Sequence, residues 1–185
     1  MSLFEFIVGM VSIIVALAIA QMFLGVSELL QNRSRVRFFV PHALWLTNLF
    51  LLMLLHWWSL WTFKDLDWNF GMFFFTLAGP SLMFFAVTLM NPRRHTEEAI
   101  DLKEHYLNVR PLFLTIVTAT YIFYSLDGPI FGTEPPFNGI RAAQGVMISG
   151  AALGLLTENA RIHTALSLAN LSGAAALVLF RFFPG

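Results

Sequence analysis

Six apolar stretches joined by short polar links take up nearly all of this chain. A membrane-crossing helix needs about 20 mostly apolar residues. The cores of the stretches lie near 4–24, 44–62, 72–90, 112–126, 139–156 and 164–182, and their limits near 4–30, 41–63, 71–91, 109–127, 139–157 and 163–183. Long apolar segments favour helix, because a closed barrel needs alternating strands of about ten residues instead. The expected fold is therefore all-α: a polytopic membrane protein, one integral membrane domain over 1–185, built as a bundle of about six transmembrane helices. Of the 185 residues, 57% are hydrophobic and 12% charged, with a mean hydropathy of +0.70. Soluble domains carry about 25% charged residues, and only lipid can absorb this much apolar surface.

The same composition narrows function. Formal net charge is zero, so the basic footprint that nucleic acid requires is missing and no nucleic-acid partner is expected. There is no cysteine, which removes disulfides, thiolate nucleophiles and thiolate metal ligation. No G-x-S-x-G, H-E-x-x-H or phosphate-cradling glycine loop occurs.

Topology follows from the positive-inside rule, which counts Lys and Arg near span ends. Arg33, Arg35, Arg37, Arg93, Arg94, Lys103, Arg110 and Arg161 fall in links one, three and five, whereas Lys64, Arg141 and Arg181 fall on the other side. Links one, three and five are expected in the cytoplasm and both termini outside. No Lys or Arg precedes the first apolar run, and the run continues past Ala18-Ile19-Ala20, so it reads as a span rather than a cleaved signal. The compact design without a targeting extension points to a bacterial inner membrane. Trp57, Trp58, Trp61 and Trp68 gather at the end of the second span, where amphipathic rings form an interfacial belt.

Two links have readable structure. In 91–111, Thr96 with Glu97 and Glu98 behind it matches a helix N-cap with acids in the first turn. Ala99, Leu102 and Tyr106 then share one face, which predicts a short cytoplasmic helix between the third and fourth spans. The stretch 127–139, with Gly128-Pro129 and Pro135-Pro136, predicts an irregular outer loop.

In lipid, helices pack where small residues let backbones approach. Gly150 and Gly154 in span five, and Ala165, Ala169 and Gly173 in span six, predict a tight five–six hairpin, or a face for a second subunit. Ser12, Ala16 and Ala20 form a similar stripe on span one. Gly79-Pro80 falls inside span three, where proline removes a backbone donor and kinks a helix; such breaks can line a transport site but are more often tolerated bends.

Ionisable groups inside a membrane cost several kcal/mol, so each needs a reason. The candidates are Gln21 and Glu28 on span one, His42, Asn48 and His56 on span two, and Asp127 below Tyr121 and Tyr124 on span four. Glu28 is expected to pair with Arg35, Arg37 or His42, and His56 to bond a neighbouring helix. Glu98, Asp101 and His105 share a helical face, read as solvated rather than metal-binding. The fourteen-residue spacing of His42 and His56 resembles that of two-haem membrane cytochromes, in which one helix ligates both haems. The resemblance would need a matching pair on a second helix, which this chain lacks, leaving only a combination of His42 with His163. No cofactor is expected. The functional expectation is an accessory subunit that packs against partners in the lipid bilayer or self-associates. A small oligomeric channel or transporter is the alternative, and a histidine-based redox protein a distant third.

Overall fold

The computed structural model describes residues 2–92, 99–132 and 139–182. They form six helices: α1 (Leu3–Gln31), α2 (Val40–Ser59), α3 (Phe70–Met90), α4 (Leu102–Phe131), α5 (Gly139–Leu153) and α6 (Ala160–Phe182). Short 3-10 turns follow α2 and α5 at Leu60–Phe63 and Gly154–Leu156. All six segments are long and apolar enough to cross a membrane.

Local chemistry sets several boundaries. α1 opens on a capping box: the Ser2 hydroxyl accepts from the Glu5 amide at 3.2 Å, and the Glu5 carboxylate accepts from the Ser2 amide at 2.8 Å. Asn69 caps α3 by accepting from the Met72 amide, and Pro41 sits in the first turn of α2, where its missing N–H costs nothing. Gly132 ends α4 in the left-handed conformation (φ 68°), which favours glycine.

Two links differ from expectation. No separate short helix precedes α4 among the described residues. Thr96, Glu97 and Glu98 lie outside those residues, and the cap that starts α4 is Asp101, whose carboxylate accepts from the Lys103 and Glu104 amides. From there one 30-residue helix runs through Pro111 to Phe131, about 45 Å long. It continues because its buried stripe does: Leu102, Tyr106, Arg110 and Phe113 lead into Leu114 and Val117 on one face. The helix also takes in Asp127–Phe131, the first part of the expected outer loop. At the other end of the third link, a two-residue parallel pairing joins Val36–Arg37 to Ile100–Asp101.

α1 packs chiefly on α3, α3 on α4, α4 on α5, α5 on α6, and α6 on α2. The core lies between α2, α3 and α4, around Trp45, Met53, Met83 and Phe113; the Trp45 and Phe113 rings meet edge-on at 5.5 Å. α3 stays helical through Pro80, the tolerated proline rather than a break. Gly79 beside it admits the Tyr124 ring: a Cβ there would lie 2.4 Å from that ring.

The small-residue seams are partly other than expected. Gly150 faces Asn170 and Gly173 faces Met147, so these two glycines do form the α5–α6 contact, while Gly154 faces Leu114 of α4. The buried stripe of α6, however, is His163, Ser167, Asn170 and Ala174. Ala165 is exposed and Ala169 half-buried. On α1 the buried stripe is Ile7, Val11, Val15, Ala18 and Met22, and Ala16 and Ala20 face outward. Gly25 is buried on the same face, so large and small residues share that seam.

Candidate functional site

Polar side chains gather at both ends of the bundle. At the end where α1, α3 and α5 finish, α3 leaves its last carbonyls without helical partners. Two histidines supply donors. The His42 ring N–H (Nε2) of α2 donates to the Met90 carbonyl at 2.8 Å, and the His105 Nε2 of α4 to the Leu89 carbonyl at 3.0 Å. Asn91 follows, and its side-chain amide donates to the Gln21 carbonyl of α1 at 2.8 Å. Gly25 makes room for it: a Cβ there would lie 2.1 Å from the Asn91 oxygen. The end of α3 is thus tied to three other helices.

A second knot lies beside it. His163 Nε2 donates to the Thr157 carbonyl at 2.9 Å, so in the neutral ring Nδ1 is an acceptor, and the Tyr106 hydroxyl donates to it at 2.9 Å. Arg110 of α4 donates to the Thr157 carbonyl and to Glu158. His42 and His163 therefore serve different partners and make no joint site. Glu28 is half-buried, and two of the partners expected for it are engaged elsewhere: Arg37 with Asp101 at 3.6 Å and His42 with Met90. Asp101, outside the spans, has its carboxyl held below the usual carboxylate range, first by the Glu104 amide, then by the Lys103 amide and Arg37.

Midway, Asn48 donates to the Tyr121 hydroxyl at 2.7 Å, fully buried. Asn170, equally buried, donates to the Leu166 carbonyl. Phe113, Leu114 and Val117 fill α4 between Arg110 and Tyr121, a dry layer separating the two ends.

At the opposite end His56 stacks on Tyr124, with centroids 4.8 Å apart and planes 20° apart. Gln144 of α5 donates to the Tyr124 carbonyl at 3.0 Å and accepts from Arg141 at 2.8 Å. Asp127 accepts from the Gly128 amide at 2.6 Å. Two adjoining clefts share His56, Tyr124 and Asp127; one opens toward Thr76 and Gly79, the other toward Ser59 and Gln144. This is where His56 and Asp127 come together. The belt tryptophans ring the same end: Trp57 donates to Ser12 at 2.8 Å, and Lys64 lies 5.2 Å from the Trp61 ring centroid.

Gln144, Ser167 and Asn170 escaped sequence reasoning. For the last two the signal existed, since 163, 167, 170 and 174 recur at helical spacing. For Gln144 it did not, because span five reads as a small-residue helix. Among the described residues no three His, Asp or Glu side chains converge as metal ligands.

Such a site, histidine beside carboxylate and phenol in a narrow cleft, can exchange protons or hold a small polar ligand. Comparison of the chain with protein-family models, with curated proteins and with solved structures returns no match. The class is thus set by architecture alone: a bundle with six helices fit to span a membrane.

Proposed function

We propose that this protein is an interaction subunit of a membrane assembly, docking partner helices through the outward faces of α5 and α6. The observation that supports this is a set of small side chains on the outward faces of α5 and α6. α1 and α3 turn out bulky side chains, among them Phe6, Leu17, Phe23, Phe74 and Phe85. α5 turns out Ala142, Gly145 and Ser149 beside Val146 and Leu153, and α6 turns out Ala165, Ser172 and Ala175 beside Ile162, Leu168 and Leu179. Acyl chains solvate a bulky face as well as another helix would. Small faces are where helices approach closely and gain van der Waals contact. The reading includes a bacterial plasma membrane, with both termini outside and the three arginine-bearing links in the cytoplasm.

Native mass spectrometry of the protein, extracted gently from its own membrane at native expression, tests it. The expected result is a complex with another polypeptide that Gly145→Leu and Ser149→Leu abolish and Leu17→Ala leaves intact. A folded lone monomer, or a complex indifferent to all three, overturns it.

A second reading, a small channel or transporter, draws on the paired clefts at His56, Tyr124 and Asp127. It expects a homo-oligomer whose ion or solute flux in liposomes falls in His56→Gln and Asp127→Asn. Unchanged flux counts against it.

A further inference from the structure

The link between α1 and α2 is short and built. Asn32 closes α1, its side chain donating to the Glu28 carbonyl at 2.9 Å. One 3-10 turn, Arg33–Arg35, follows, and the Arg35 amide donates to the Asn32 carbonyl at 2.8 Å. Val36–Arg37 is then pinned by the pairing with Ile100–Asp101. The turn therefore holds a defined position rather than swinging free.

Its charges are unevenly used. Arg37 is paired with Asp101, and on the neighbouring helix Arg110 is paired with Glu158. Arg33 and Arg35 are exposed, and among the described residues neither is in an ion pair. Among the described residues, the acids of the adjoining elements are Glu28, one turn back on α1, Asp101, paired with Arg37, and exposed Glu104. On either side of the two free guanidinium groups stand exposed apolar side chains, Leu30 at 62% and Phe38 at 70% exposure. Arg33 and Arg35 are separated by about 4 Å along the turn's axis and about a third of a turn around it, a gap that two long Arg side chains must close to share one phosphate. Guanidinium forks match phosphate oxygens in pairs.

We infer that Arg33 and Arg35 form a binding site for the phosphate of an anionic phospholipid, with Leu30 and Phe38 against its acyl chains. The inference rests on the membrane reading above. If α1 and α2 both span, eight linking residues keep this turn at the headgroup level, where each basic residue contributes roughly a fivefold gain in affinity for anionic lipid.

The test uses the full-length protein, purified in neutral detergent and stripped of lipid. Native mass spectrometry follows retention of phosphatidylglycerol and phosphatidylcholine with matched chains. The expected result is a preference for phosphatidylglycerol of at least tenfold, lost in the double variant Arg33→Gln/Arg35→Gln and kept in Arg161→Gln, which removes an exposed charge at the same end of the bundle. Equal retention of both lipids overturns the site. So does a preference that the double variant keeps, or one that Arg161→Gln reduces equally, which would mean diffuse charge attraction. Saturation by millimolar inorganic phosphate alone would reassign the arginines to a soluble anion and overturn the lipid assignment. Far-ultraviolet circular dichroism confirms that the variants fold. Resistance to alkaline carbonate extraction is scored separately, so a failure of membrane insertion is distinguishable from a failure of lipid selectivity.

Discussion

A single methyl group separates two glycines of α1. At Gly25 a Cβ would collide with the Asn91 side chain, whereas at Gly9 it would meet nothing within 4 Å. Gly25→Ala must push Asn91 off the Gln21 carbonyl and leave buried polar groups short of a partner. The expected loss is about 1–2 kcal/mol, read as a lower thermal midpoint in detergent; Gly9→Ala should be neutral or slightly stabilising. A midpoint unchanged by Gly25→Ala would show that the α1–α3 clamp does not hold as described. Tyr121→Phe deletes only the hydroxyl that Asn48 meets at 2.7 Å. Hydrogen bonds between membrane helices average about 0.6 kcal/mol and reach about 1.7, so a modest loss in that range is expected in chemical or thermal unfolding. A larger one would mean that the hydroxyl does more than receive Asn48. The histidines carry a lesson at this scale too. His42 and His105 look like ligands in sequence, yet each spends its ring N–H on a carbonyl at the end of α3.

At the scale of the element, α4 is the least expected. The sequence predicts a short link helix ahead of a fourth span near 109–127; the structure has one helix from Leu102 to Phe131. Proline forfeits one hydrogen bond, but the unbroken buried stripe on either side outweighs that loss. The start of α4 yields a pH prediction. The Asp101 carboxyl titrates below its ordinary range because amides of the first turn stabilise its charged form. Its folded value is depressed, so its contribution to stability is complete above the unfolded carboxylate value of about 3.9. It is lost as pH falls through the lower folded value. Asp101→Asn keeps a capping oxygen but no charge, so the variant should lose less stability on acidification from pH 5 than the parent does. Identical acid profiles for the two would remove Asp101 from that account.

For the whole molecule, the hydrogen bonds fix which ends lie together. His42 reaches Met90 and Tyr106 reaches His163, so the starts of α2, α4 and α6 share one end with the finish of α3. The parent has no cysteine, which makes single-cysteine labelling clean. Ser34→Cys and Asn159→Cys should react with an impermeant maleimide from one side of sealed vesicles, and Asp67→Cys from the other. Reaction of Ser34→Cys and Asp67→Cys from the same side would break the six-span arrangement.

Sequence alone determined the helical class and the number of segments long and apolar enough to cross a membrane. These depend on how much apolar surface each segment carries, a local property that survives any packing. It also placed Asn48 and His56 within the second apolar segment and Asp127 at the end of the fourth. Which face of each helix is buried was decided only by tertiary structure. Lipid and neighbouring helices are both apolar, so the usual contrast between a wet and a dry face is absent. That is why Ala16, Ala20 and Ala165 read as seam residues in the sequence and Ser167 and Asn170 do not. Partner choice was likewise decided in three dimensions: Arg37 took Asp101 across the link pairing, and His56 took the Tyr124 ring. Those partners lie dozens of residues apart, and only the folded bundle brings them within reach.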